Sequence, residues 1–316
     1  MNMPNKALIT LLICLASWLT AEAQKGSTSY EFLGIPVSAH SAAVGGHNIS
    51  MCDDDITLMF DNPALISYVD DKTLTLDYTS HIASTMKLSA GFSRIINERA
   101  TWAVGANLLN YGSMDETDLA GNTVGKFSAN DINVQGSFAY LLNDYWSGGV
   151  TLKCLFTNYA NYNAFAMATD LGLTYHNVGS GLGLSFVAHN LGGQIDPLYE
   201  DREAMPFDLS VGLSKRFANA PLRLHLTFDD LTHWEKVNFI QHVILGADVF
   251  IGSNIWIGAG YNFRQAHEMK ITNSGSHMAG FSIGAGLNIK RFKVGLAWGK
   301  YHMAASSVLI NTSFSL

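Results

Sequence analysis

The sequence predicts an all-β chain, a transmembrane antiparallel β-barrel of about fourteen strands with a segment at its head that does not alternate. Three observations carry this reading. Apolar residues alternate with small or polar ones along most of the chain. The pattern is most regular near the end, where Phe292, Val294, Leu296 and Trp298 interleave with Lys293, Gly295, Ala297 and Gly299. Period two is strand geometry, because successive side chains leave opposite faces. Charged residues are only 14% of the chain, against about 25% in a typical soluble protein. Finally, the connections between runs sort by length. Alternation alone fits a soluble sandwich as well as a lipid-facing sheet, so composition and connections decide.

Residues 1–23 carry Lys6, an apolar run from Ala7 to Leu19, and the small-residue site Ala21-Glu22-Ala23. That is the pattern of a secretory signal peptide cut after Ala23. Cys14 lacks the preceding small residue of a lipid-attachment site, which leaves Cys52 and Cys154 in an oxidising compartment, either as a pair or as two core thiols. Residues 24–71 do not alternate. They are rich in small residues and are broken by the turn signals Gly45-Gly46 and Asn62-Pro63. Such a segment at the head of a barrel predicts a hatch inside the lumen, with short helices packed on a curved wall.

The barrel follows over 72–316. Its fourteen alternating runs are 72–82, 86–96, 101–111, 131–142, 146–157, 163–176, 181–191, 206–217, 221–230, 241–251, 254–264, 277–289, 291–302 and 306–316. Outward faces are exemplified by Leu74/Leu76/Tyr78 and Ile132/Val134/Phe138/Tyr140, inward ones by Thr73/Thr75/Asp77 and Asp131/Asn133/Gln135. Long connections (Gly112–Asn130, Gly192–Met205, Leu231–Ile240, Gln265–Ser276) all follow odd-numbered runs, and short ones such as Gly252-Ser253 follow even-numbered runs. This is the asymmetry of an outer-membrane barrel, with tight periplasmic turns and longer surface loops. An even strand number also places both termini in the periplasm. After cleavage no segment reaches the ~18 apolar residues of a membrane helix. A net charge of −7 argues against nucleic acid as a partner; the partner this surface predicts is outer-membrane lipid.

The chain holds no G-x-S-x-G, H-E-x-x-H, Walker or C-x-x-C pattern. It therefore assigns no catalytic, cofactor-binding or metal-ligating residue and no cofactor, and reads as non-enzymatic. Asp53-Asp54-Asp55 lacks the spaced ligands of a calcium loop and reads as a solvated turn or a salt-bridged part of the hatch. Gly258, Gly260, Gly284 and Gly286 lie at period two inside runs, as lumen-facing spaces for a plug or as bends. His189, His225 and His242 are expected to point into the barrel.

Several segments then carry a specific resemblance. They are E-F-L-G-I-P-V-S-A (Glu31–Ala39), G-G-H-N-I-S (Gly45–Ser50), D-N-P-A-L-I-S (Asp61–Ser67), N-Y-G-S-M-D-E-T-D (Asn110–Asp118) and M-P-F-D-L-S-V-G-L-S-K-R-F (Met205–Phe217). Together they resemble the PorV/PorQ group of type IX secretion outer-membrane proteins, relatives of the fourteen-stranded FadL channels, with the middle segments closer to PorQ. The resemblance implies a FadL-like barrel that anchors a surface attachment complex, with a PorZ-like surface protein and PorU/PorV-like subunits as partners. Acids at Asp115, Glu116 and Asp118 and the tip His233-Trp234 offer a docking surface for them, or serve loop solubility. The alternative is a FadL-like channel for hydrophobic small molecules, gated by the hatch. Phe32, Leu33, Leu58, Met59 and Phe60 then line a greasy pocket, or else pack on the wall.

Overall fold

The computed structural model describes residues 30–81, 85–118, 120, 122–160, 162–198, 202–234, 238–268, 278–300 and 306–316. The predicted signal peptide lies outside the described residues. Fourteen strands close into one ring. They are β1 (Thr73–Ser80), β2 (Met86–Asn97), β3 (Ala100–Thr117), β4 (Thr123–Leu141), β5 (Trp146–Tyr159), β6 (Tyr162–Asn177) and β7 (Leu182–Asp196). The ring continues with β8 (Asp208–Arg216), β9 (Leu222–Phe228), β10 (Val243–Ile251), β11 (Ile255–Asn262), β12 (Phe281–Ile289), β13 (Phe292–Gly299) and β14 (Ser307–Ser315).

Each strand pairs antiparallel with its sequence neighbours, and β1 pairs with β14, so the sheet has no free edge. Register sets the two faces. Leu74 sits opposite Phe314 and Tyr78 opposite Ile310 on the outside, while Thr75 meets Ser313 and Asp77 meets Asn311 inside. The outer face is a belt of exposed Leu, Ile, Val and Phe, with Leu76 60% exposed; the inner face is buried and polar. A soluble protein would turn these faces the other way, whereas hydrocarbon outside and polar contents inside require this arrangement. Tyr145 stacks on Tyr175, which meets Trp146 edge-on, giving aromatic cover at the rim that carries the short turns.

The connections after even-numbered strands are short and sit at one rim, as the parity of the runs predicts. At the other rim the structure corrects the sequence reading. The stretch Gly112–Asn130 is not a long loop, because β3 continues through it to Thr117 and β4 starts again at Thr123. β7 likewise runs on to Asp196. Beyond the bilayer the outward face no longer has to be apolar, so pairing continues while alternation fades. Strands β9 and β10, and β11 and β12, are joined by longer connections that hold a 3₁₀ turn at Phe239–His242 and a short helix at Phe263–Glu268; 235–237 and 269–277 lie outside the described residues. His189 and His225 are on inward positions, but His242 falls in the 3₁₀ turn, beneath Trp234 at 4.4 Å.

Candidate functional site

Residues 30–71 lie within the ring as a chain of short turns: Glu31–Gly34, the helix Ala39–Ala43, and the 3₁₀ turns Ile56–Phe60 and Pro63–Tyr68. Each turn has a local reason to form. Ser38 caps the helix by accepting from Ser41 N; Asp55 caps the next turn by accepting from Thr57 N; Asn62 caps the last by accepting from Ala64 N, with Pro63 at the first helical position. The D-N-P-A motif is therefore a helix start, and it is also an anchor. Asn62 donates Nδ2 to Ile49 O (2.7 Å) and to Thr174 Oγ1 of β6 (2.9 Å).

Small residues on the wall make room for this segment. A Cβ on Gly260 would stand 2.1 Å from Val44 C, one on Gly246 2.5 Å from Val44 O, and one on Gly149 2.5 Å from Ala64 N. Gly45 and Gly46 turn the chain there with φ of 120° and 105°, which L side chains rarely adopt. On the other flank, Ala39 N donates to Asn311 Oδ1 of β14, and Asn311 Nδ2 donates to Val37 O (2.8 Å).

The acidic turn is the electrostatic centre, close to the rim of short turns. Arg223 of β9 holds Asp53 with two parallel bonds of 2.7 Å and also reaches Asp248 of β10 at 2.7 Å. Asp248 lies 2.7 Å from His40 Nε2 and 3.3 Å from His225 Nε2, and the His40 ring stacks on Trp256 at 3.7 Å. Asp54 is bound by Lys293 of β13, and Asp55 accepts from Ser38 Oγ at 2.8 Å. Of the two sequence readings, the salt-bridged hatch is the one observed. Burial pushes the Asp53 carboxyl up, but the Arg223 charge and hydrogen bonds outweigh it and hold it at about 2. Asp61 behaves oppositely: burial pushes it up to about 6, and no hydrogen-bond partner reaches its Oδ2 among the described residues.

Further along the lumen the segment is greasy. Tyr30 and Phe32 cluster with Leu109, Leu155 and Met205, and Leu33 packs against them. Buried Lys87 fixes this turn by donating Nζ to Ile35 O (2.5 Å). Asp131 nearby accepts from Tyr111 Oη (2.6 Å), Tyr159 Oη (2.9 Å) and Thr157 Oγ1 (2.6 Å). Leu58 packs with Val44, Met51 and Leu65, and Met59 and Phe60 pack with Ala103 and Ala139 of the wall. The five apolar hatch residues thus pack on one another and on the wall. Gly258, Gly260 and Gly284 face Ala43 or Val44, and Gly286 faces Trp256. Cys52 and Cys154 are both free thiols.

Sequence reasoning missed Arg223, Asp248, Lys293, His40 and Trp256 as members of one cluster. Arg223 and Asp248 are paired across β9–β10 in an otherwise ordinary polar face, so a charged pair at inward positions was the available signal. Outside the ring, the acids at the β3–β4 tip are engaged locally: Asp115 lies 4.0 Å from Lys126, and Asp118 accepts from Asn122 N. Trp234 is half exposed, over Phe239.

No family model matches the chain, and no curated protein matches its sequence. Solved structures do match. A TodX deletion variant described as a monoaromatic hydrocarbon channel aligns over 87% of this chain and 97% of its own, at 13% identity and a TM-score of 0.59. A FadL homologue from Pseudomonas aeruginosa aligns over 88% and 98%, at 11% identity and 0.56. The toluene transporter TodX of Pseudomonas putida aligns over 87% and 96%, at 15% identity and 0.55. At these identities the likeness establishes a FadL-like fold.

Proposed function

We propose that the protein is a plugged outer-membrane channel for hydrophobic small molecules, with residues 30–71 as its gate. The observation that carries this reading is the two-ended hatch. It is apolar at Tyr30 and Phe32 and ionically tied at Asp53 and Asp54, so a solute that competes for the apolar end works against a docked segment held at the other. The neighbours described as toluene or monoaromatic hydrocarbon channels support that class of solute. In this orientation the short-turn rim and both termini face the periplasm, and the longer connections face the cell surface. The protein supplies no reaction chemistry in this role; it binds, excludes water and opens.

Uptake of toluene and of a long-chain fatty acid into liposomes tests it. Liposomes carrying the protein should take up at least one of them faster than empty liposomes, and a variant lacking residues 30–71 should pass small polar solutes as well. Uptake equal to that of empty liposomes for both solutes would overturn the proposal.

A second reading is favoured by the sequence segments that resemble the PorV/PorQ group and by the β3–β4 hairpin that stands above the belt. It makes the barrel a non-enzymatic anchor in type IX secretion that binds a PorZ-like surface protein beside PorU/PorV-like subunits. Affinity capture from detergent extracts separates the two: such partners should co-purify if the barrel is an anchor, and their absence alongside solute uptake leaves the channel.

A further inference from the structure

The outer face of the ring is uneven across β8–β12. Ala247 and Ala259 sit opposite each other on β10 and β11, flanked in register by Leu224 of β9 and Ile283 of β12. Because these alanines are short and their neighbours are long, the lipid-facing surface sinks into a groove of about 650 Å³ lined by Leu213, Leu224, Leu245, Ala247, Ala259 and Phe281. The hatch explains the adjoining inward glycines, Gly246 and Gly260, which stand against Val44. It does not explain the alanines, whose side chains leave the opposite face. Their size therefore acts on what lies outside.

Charge indicates what that is. Outward positions of β9–β12 hold only Leu, Ile, Val, Ala, Phe and Tyr. The groove's one cation is Lys215, near the short-turn end of β8, whose Nζ donates to Ser180 O at 2.6 Å. An ammonium has three donors, and that carbonyl takes one. An unfilled dimple on a lipid-facing wall loses dispersion contacts, and a basic group at its interfacial end attracts an anionic headgroup.

We propose that this groove binds one anionic phospholipid, with an acyl chain over Ala247 and Ala259 and the headgroup phosphate against Lys215, in the leaflet at the short-turn rim. The site requires only that the barrel stands in a bilayer and is independent of what the lumen passes.

Native mass spectrometry of the full-length protein, titrated in detergent with dioleoyl phosphatidylglycerol or dioleoyl phosphatidylcholine, tests the site. The wild type should keep one tight phosphatidylglycerol adduct. Ala247→Leu with Ala259→Leu fills the groove and should lose that adduct while keeping heat-dependent gel mobility. Lys215→Gln should weaken phosphatidylglycerol about fivefold, the equivalent of about 1 kcal/mol per interfacial cation, and leave phosphatidylcholine unchanged. If the double variant does not fold, Ala259→Leu alone and Lys215→Gln decide. Full retention of the adduct in the filled variants, or an unchanged preference for phosphatidylglycerol in Lys215→Gln, overturns the site. A wild-type dimer that becomes monomeric in the filled variant overturns it too, by seating a second copy in the groove.

Discussion

Strands β8–β14 are seven to nine residues long, whereas β3–β7 run from fourteen to nineteen. A membrane crossing takes about nine to eleven residues, so the first group barely spans and the second overshoots. At about 3.3 Å per residue, β4 extends roughly 60 Å and β9 little more than 20 Å. The interiors differ as well. The short half presents Gly246, Gly258, Gly260 and Gly284 to the helix Ala39–Ala43 and its exit, and supplies Arg223, Asp248 and Lys293 to the acidic turn. The long half makes room as well, with Gly105 against Phe60 and with Gly149 and Gly172 against Asn62, Pro63 and Ala64, but it receives the greasy end on Leu109 and Leu155 beside Ala166 and Ala168, and caps it with the Tyr111–Asp131–Tyr159 group. A wall that ends with the hydrocarbon has little latitude in length. A wall that continues into water on one side has more.

The comparison breaks first at the clamp. Arg223→Met leaves Asp248 buried without its cation and Asp53 unpaired, and removing one partner of a buried ion pair such as Arg223–Asp248 costs about 3–5 kcal/mol. We expect a lower melting temperature, together with protease access to residues 30–71 and a leak current in planar bilayers. A variant that melts normally and stays closed would show that the contacts to the long half hold the hatch alone.

Next comes the outer belt. Leu296→Arg, at the middle of β13 in the short half, should destabilise the barrel by about 2–4 kcal/mol in urea refolding into vesicles. Val124→Arg, near the β3–β4 tip where Val124 is 62% exposed, should cost under about 1 kcal/mol because that position lies above the hydrocarbon. Equal costs would place the tip inside the bilayer.

Acidity separates the two carboxyls of the hatch. The Asp53 carboxyl, held at about 2 against 3.8 ordinarily, favours docking above about pH 4 and loses that contribution as pH falls toward 2. The Asp61 carboxyl, raised to about 6, takes up a proton in the docked form, so its effect is opposite: docking weakens as pH rises from about 4 through 6. Protease protection of the hatch should therefore peak near pH 4, and Asp61→Asn should abolish the decline on the alkaline side. A decline that persists in Asp61→Asn would assign it to another group.

The smallest effect belongs to the tip itself. Asp115→Lys with Glu116→Lys should move stability by no more than about 0.5 kcal/mol, as surface changes do, while removing capture of a surface partner if the barrel serves as an anchor. Unaltered capture would put that contact on another connection.

The ring was legible from sequence wherever one face met hydrocarbon, because that demand writes a period-two pattern at Leu74, Leu76 and Tyr78 or at Ile283, Leu287 and Ile289. It faded where the demand ended. Asp115, Glu116 and Lys126 are polar on a paired hairpin, and the stretch read as a loop. Within the hatch, the small residues and the D-N-P-A start were legible as local features. The clamp was not, since Asp53 meets Arg223 across 170 positions of sequence, and an inward arginine looks like any other lumen-facing polar residue until closure brings the two together.

Asn311 of β14 and Thr174 of β6 lie on well-separated arcs of the cylinder, and the same forty-residue stretch bonds to both. It therefore works as a strut across the bore. With the strut in place the cross-section resists flattening under lateral pressure from the surrounding bilayer; were it withdrawn, the hoop would be free to become oval, and its bore would change shape as well as contents.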